Sequence, residues 1–237
     1  MITTFKTRLV KKKAVAPNVI VFGFQIDPPA KLRFRAGQYL ILLVPQPSGV
    51  PARRLFSIFT PPSDQKYFEL LVEILPNGLA ASYLSQISQT AEVVFQGPAG
   101  MFTLRQPFSR DLIFLATGTG VAPVYSMLRF LAGQKITRQQ QLLFGLRTRA
   151  EVFLFEELKE LQKQNQSFSF LYCLSREHPT EAGFAPGRVT NELEKITNLP
   201  DFDFYVCGGK DVVEALRQYL FGKRVPRAQV YSEKFTG

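Results

Sequence analysis

The chain is poor in the residues that build metal centres and reactive side-chain clusters. Its 237 residues include no tryptophan, one histidine, His178, and two cysteines, Cys173 and Cys207. Two thiols cannot supply the four thiolates of a usual iron–sulfur cluster or of an all-cysteine zinc site. A single imidazole excludes every multi-histidine metal centre and makes any Ser-His-Asp arrangement depend on His178 alone. That residue lies in the polar stretch Glu177-His178-Pro179-Thr180 and reads as a solvated loop residue. Redox or group-transfer chemistry in such a chain falls to a bound organic cofactor.

Acids and long apolar runs are scarce as well. Against 19 Asp+Glu stand 29 Lys+Arg, a net charge of +10 that draws in nucleic acid, anionic surfaces or acidic proteins without specifying a fold. Zinc-finger spacing, an RNP-like aromatic box and heptads are all missing, so nucleic acid is not the expected partner. The longest uncharged run, 112–128, is shorter than the roughly 20 residues of a spanning helix and is interrupted by Gly118, Gly120 and Pro123. The basic N-terminal stretch MITTFKTRLVKKKAVAP has no apolar segment behind it and does not read as a secretory signal. A cytoplasmic protein with reduced cysteines and no membrane insertion is expected.

Phenylalanine, by contrast, is plentiful, with 22 residues. Up to about residue 104 the pattern is one of short strands, at 3–14, 18–26, 37–44, 53–60, 67–75 and 92–97, with a single helical stretch at 78–86. Phe68, Leu70, Val72 and Ile74 alternate with Glu69 and Glu73, the period of a half-buried antiparallel strand. Six strands and one helix predict a six-stranded antiparallel β-barrel over 1–106. Beyond Pro107, strand-like runs at 112–116, 141–146, 168–174, 203–207 and 229–232 alternate with helical stretches at 121–133, 152–164, 188–196 and 210–221. This order predicts an α/β domain over 107–237 with a parallel five-stranded sheet.

The first strand of the second half runs into Thr117-Gly118-Thr119-Gly120-Val121-Ala122-Pro123. Glycines at a strand-to-helix turn let a phosphate approach the backbone and the free amides of a helix start, and Pro123 suits the first helical turn. The third glycine of the dinucleotide fingerprint is absent. At the end of the next strand, where an acid would hold the ribose 2′-hydroxyl of NAD, stand Arg147, Thr148 and Arg149; the third strand ends with Ser175 and Arg176. Guanidinium pairs bidentately with phosphate, so these residues point to NADPH rather than NADH.

Together these segments resemble the ferredoxin–NADP reductase superfamily across nearly the whole chain. The R-x-[YF]-S element corresponds to Arg54-Leu55-Phe56-Ser57, followed by Thr60. The G-x-x-[ST] turn corresponds to Gly78-Leu79-Ala80-Ala81 with Ser82 behind it, and G-P-x-G-x-F to Gly97–Phe102. The nicotinamide-nucleotide loop corresponds to Thr117, Gly118, Thr119 and Gly120, S-R-E to Ser175-Arg176-Glu177, and C-G-x to Cys207-Gly208-Gly209. Two departures stand out. Ala81 replaces the usual hydroxyl residue, with Ser82 as its stand-in, and the chain runs Glu233-Lys234-Phe235 near its end, as oxygenase-type reductases do, in place of a terminal tyrosine.

The resemblance implies a monomeric flavoprotein reductase that binds FAD (FMN less readily) and passes hydride from NADPH to the flavin. Electrons then go to an acidic carrier such as ferredoxin or flavodoxin. It places Arg54, Leu55, Phe56, Ser57, the 78–82 turn and Phe235 at the flavin, with Arg54 on a phosphate and the Ser57 hydroxyl at N5. Thr117–Gly120, Arg147, Arg149, Ser175, Arg176 and Cys207–Gly209 fall at NADP, and Ser57, Cys207 and Glu233 at the reacting atoms. A free-flavin reductase and an NADH-preferring oxygenase reductase component share the fold. A basic nucleic-acid binder would account for the charge but for none of the motifs.

Overall fold

A computed structural model describes residues 2–134 and 136–235. Two compact units are present, Met1–Leu104 with Tyr125–Phe130, and Arg105–Val124 with Leu131–Gly237.

The first unit is built on six antiparallel strands: β1 (Thr3–Ala16), β2 (Val19–Ile26), β3 (Tyr39–Val44), β4 (Ala52–Ser57), β5 (Tyr67–Glu73) and β6 (Glu92–Ala99). They lie in the order β4-β3-β6-β1-β2-β5. An antiparallel bridge between Ile58, just after β4, and Leu70 of β5 joins the two edge strands and closes the barrel. Closure removes the exposed edges an open sheet would leave. The alternation read along β5 is kept in part: Phe68, Leu70 and Val72 are buried and Glu73 is exposed, but Leu71 is buried as well. Much of the phenylalanine excess sits in this core. Phe24, Phe68 and Phe95 are fully buried with centroids 5.0–5.3 Å apart, and truncating any one would cost about 3–5 kcal/mol. Helix α1 (Leu79–Gln86) packs Ala80 and Leu84 onto the same core.

The second unit is a parallel sheet of β7 (Asp111–Thr117), β8 (Gln140–Leu146), β9 (Phe168–Leu174), β10 (Phe184–Pro186), β11 (Phe202–Gly209) and β12 (Val230–Phe235). The order is β10-β9-β8-β7-β11-β12. Helices α2 (Val121–Ala132), α3 (Phe155–Gln164), α4 (Val189–Leu193) and α5 (Lys210–Gly222) alternate with the strands. Val189 and Leu193 of α4 and Val213, Leu216 and Leu220 of α5 cover one face of the sheet, over Ile113, Leu115, Phe204 and Val206.

The sheet therefore has six strands where the sequence predicted five. The extra strand, β10, is three residues long and sits at the edge, where Pro186 is tolerated. Three residues are too few to show a period. The helix predicted from 152 starts at Phe155, because Leu154 takes a left-handed backbone (φ 64°) that breaks helical continuity. No helix among the described residues is long and apolar enough to cross a membrane.

Candidate functional site

In the barrel, two elements carry the residues singled out in the sequence. Strand β4 holds Arg54 to Ser57 against β3, with Ser57 opposite Tyr39 and Phe56 opposite Leu40. Alternation turns Phe56 toward the barrel core, where it is half-buried, and leaves Leu55 58% exposed on the outer side. Ser57 is buried. Arg54 is exposed, and its Nη1 donates to the Arg53 carbonyl at 2.9 Å. Neither Arg53 nor Arg54 forms an ion pair among the described residues.

The second element is the start of α1. Gly78 is its N-cap, no side chain caps the helix, and its first turn holds no acid. The leading amides of Leu79, Ala80 and Ala81 thus keep their capacity to donate to an anion. Ala81 is buried, whereas Ser82 is exposed and its hydroxyl accepts from Gln86 Nε2 at 3.3 Å. An acid-free helix start and an exposed guanidinium that forms no ion pair among the described residues are each donors of the kind a diphosphate takes.

In the parallel sheet, the turn after β7 is built by close backbone approach. A Cβ at Gly120 would lie 2.6 Å from the Cys207 carbonyl oxygen and 2.6 Å from Gly208 Cα, so only glycine lets the turn rest on the end of β11. Gly118 has φ +53° and open space around the position of a Cβ. Gly208 in turn faces Thr117. Thr117–Gly120 and Cys207–Gly208 are therefore one structure, a backbone cradle at the carboxyl edge of the sheet, where open α/β sheets bind ligands. Helix α2 follows with no acid in its first turn. This cradle fits the phosphates of a nucleotide.

Cys207 lies behind the cradle, 1% exposed, in register with Ala116 on β7 and Glu233 on β12. Burial pushes its thiol well above the ordinary cysteine range, and the Glu233 carboxylate adds to this. The thiol therefore stays protonated at neutral pH. Phe235 ends β12 half-buried, in register with Gly209. Cys173 is buried and unbridged, its thiol pushed up to about 12 by burial and by Glu192.

The basic residues at the ends of β8 and β9 are brought together through their backbones. Ser175 N–H donates to Leu146 O at 3.0 Å, and Arg176 N–H to Arg147 O at 2.9 Å. The side chains of Arg147 and Arg176 are exposed and make no ion pair among the described residues. Arg149 is different. Its Nη1 pairs with Glu181 Oε1 at 2.7 Å, and its guanidinium lies 3.8 Å from the centroid of the Phe184 ring.

Glu177 of the S-R-E segment and two acids that sequence reasoning passed over, Glu151 and Glu181, fold back onto this corner. Glu151 Oε2 accepts the Arg147 N–H at 2.9 Å, Glu177 Oε2 accepts the Arg149 N–H at 3.0 Å, and Glu181 holds the Arg149 side chain. Their spacing in the chain carried no signal beyond the S-R-E segment that contains Glu177. Loop geometry alone brings them in.

Comparison with known proteins agrees with both units. The oxidoreductase FAD-binding domain family matches residues 6–104, and the oxidoreductase NAD-binding domain family matches residues 114–218. The chain is 32% identical to the toluate 1,2-dioxygenase electron transfer component of Pseudomonas putida, over 98% of this chain and 67% of that protein. It is 30% identical to the reductase component of propane 2-monooxygenase from Rhodococcus jostii, over 98% of this chain and 63% of that one. Thus it spans about two thirds of the length of these relatives. A ferredoxin–NADP reductase B of Sorangium cellulosum is 29% identical over 98% of this chain and 97% of its own length. The crystal structure of an Amycolatopsis cytochrome P450 reductase shares the fold, with a TM-score of 0.90 at 24% identity, covering 100% of this chain and 71% of that one. The chain belongs to the ferredoxin–NADP reductase superfamily of flavin- and pyridine-nucleotide-dependent oxidoreductases.

Proposed function

We propose that the chain is an NADPH-dependent FAD flavoprotein reductase that passes electrons to a small acidic redox protein. The observation that carries the reading is the pair of acid-free helix starts, α1 in residues matched to an FAD-binding family and α2 in residues matched to an NAD-binding family. When bound, the flavin and the pyridine nucleotide supply the hydride and electron transfer. The chain's own residues bind, orient and exclude water. Arg54 and the amides of Leu79, Ala80 and Ala81 neutralise the flavin diphosphate. The Ser57 hydroxyl holds a hydrogen bond at flavin N5, and Phe56 supplies apolar surface for the flavin.

The Thr117–Gly120 turn and Gly208 take the nucleotide phosphates. The Cys207–Gly208 backbone and Glu233 on the neighbouring strand take the nicotinamide end of the cradle, with the neutral Cys207 thiol buried behind it. Arg147 and Arg176, uncommitted and joined through the Arg176–Arg147 backbone bond, take the 2′-phosphate with the Ser175 hydroxyl. This supports NADPH over NADH.

A second reading, a reductase component of an oxygenase, is favoured by the relatives from propane 2-monooxygenase and toluate dioxygenase systems. The two readings differ in the acceptor. The net charge of +10 suits electrostatic steering of an acidic carrier. Reduction of such a carrier is expected to slow about tenfold between 0.01 and 0.1 M salt, as the Debye length shrinks from about 30 to about 10 Å.

The absorption spectrum of the purified protein tests the cofactor assignment. It is expected to show one flavin per chain, or uptake of one FAD on reconstitution. A colourless protein that takes up neither FAD nor FMN contradicts the whole reading.

A further inference from the structure

We propose that Glu181 weakens this chain's preference for the phosphorylated coenzyme, by engaging Arg149 and placing a carboxylate beside the 2′-phosphate position. The inference rests on the pyridine-nucleotide reading above. In an open α/β sheet the end of the second strand meets the coenzyme's ribose 2′ position, and an arginine there accommodates a 2′-phosphate. Arg149 occupies that place after β8, but its guanidinium is already engaged.

The engagement is built from several contacts. Glu181 Oε1 pairs with Arg149 Nη1 at 2.7 Å, and Glu181 Oε2 accepts the Thr180 N–H at 3.0 Å, so both carboxylate oxygens are held. The guanidinium lies over the Phe184 ring at 3.8 Å, and the Arg149 N–H is bound by Glu177 Oε2 at 3.0 Å. Backbone N–H donation, first from Glu181 itself and then from Thr180, together with the Arg149 charge, keeps the Glu181 carboxyl below the usual range and ionised at neutral pH.

Fold stability does not explain the pair. Both side chains are 49% exposed, and exposed ion pairs add little to folding. Their effect on a ligand is larger. A 2′-phosphate must displace the carboxylate from Arg149 or bind beside a like charge, whereas the 2′-hydroxyl of NADH meets neither obstacle. Glu181 thus penalises the phosphorylated coenzyme alone. Arg147 and Arg176 are left to attract the 2′-phosphate, and Glu181 lowers a preference those two arginines would otherwise make much stronger.

The test compares two probes on the full chain, adenosine 2′,5′-bisphosphate and 5′-AMP, as competitive inhibitors of wild type, Glu181→Gln and Glu181→Gln with Arg149→Ala. Glu181→Gln is expected to tighten the bisphosphate about five- to tenfold at low salt, from release of the exposed pair and loss of the like charge. It leaves 5′-AMP within about twofold, and Arg149→Ala in the same chain removes the gain. With coenzymes, KM for NADPH falls, while KM for NADH and both kcat values hold. Glu181→Ala repeats the measurement should glutamine disturb the loop. An equal change for the two probes, or no change for the bisphosphate while both still bind, overturns the role of Glu181 and leaves the coenzyme reading standing. Failure of wild type to bind either nucleotide brings down both.

Discussion

The two corners of this chain proposed to bind anions differ in electrostatic plan. In the barrel, among the described residues, Arg54 has no acid in an ion pair with it and the first turn of α1 holds none. In the parallel sheet, the arginines after β8 are surrounded by Glu151, Glu177 and Glu181, and Arg149 is tied up. A corner without competing acids suits a cofactor that stays bound. A corner where carboxylates compete for the cations suits a coenzyme that must leave after each turnover, because the competitor is in place when the phosphate departs. The contrast teaches that counting cations along a sequence overestimates anion affinity wherever loops return acids to the same spot.

The largest expected effect that sharpens this comparison comes from the backbone cradle. Gly120→Ala would drive a Cβ into the Cys207 carbonyl and Gly208 Cα. It is expected to weaken both NADPH and NADH on the order of a hundredfold, the scale of a small misplacement at a reacting site. The flavin spectrum of the same preparation is expected to be unchanged. Coenzyme titration followed by flavin absorbance checks both; retained coenzyme affinity would show that the turn is not the phosphate site.

Next comes the barrel corner. Losing one charge-assisted contact costs about 1.5–3 kcal/mol, so Arg54→Ala is expected to weaken FAD on the order of thirtyfold. Equilibrium dialysis of apoprotein reads the effect. An unchanged FAD affinity would place Arg54 outside the site and remove half of the contrast.

A smaller and selective effect is expected at the sheet corner. Arg176→Ala should raise KM for NADPH about tenfold and leave KM for NADH nearly unchanged. Steady-state kinetics with the two coenzymes decides; equal changes would refute a contact with the 2′-phosphate.

How far the sequence displayed these features follows from their length and locality. Strand β5 was legible because Phe68, Leu70 and Val72 fall at alternate positions flanked by Glu69 and Glu73. The turn Thr117–Gly120 was legible because strand, glycines and helix are consecutive. The partnership of Gly120 with Cys207 and Gly208 depends on the distant pairing of β7 and β11, Ala116 opposite Cys207, and no local pattern encodes it. Strand β10 was too short to read, and Leu154 gave no sign of a left-handed backbone. The acids around Arg149 were visible as residues but not as neighbours, since only the folded 175–183 loop returns Glu181 to the end of β8.

The smallest expected effect lies away from both corners. Asp203 is buried, its Oδ1 has no hydrogen-bond partner, and Arg110 Nη1 stands 3.7 Å away. Burial raises its carboxyl above the ordinary range, and Arg110 only partly opposes this. With a folded-state pKa above the unfolded one, the protonated form favours folding at low pH, and that stability is lost as pH rises through the folded value. Asp203→Asn is therefore expected to raise Tm at pH 7 by about 2 °C and to change it little near pH 4. Thermal melts at the two pH values measure it, and a loss at pH 7 would mean that the Arg110 pairing outweighs burial.

The most direct test of the central claim is anaerobic stopped-flow reduction of the FAD-loaded protein, followed at the flavin absorption band with NADPH and NADH in turn. Stoichiometric bleaching by NADPH is predicted, at a concentration about tenfold lower than NADH requires. A flavin that neither coenzyme bleaches, or one that NADH bleaches at the lower concentration, would contradict it.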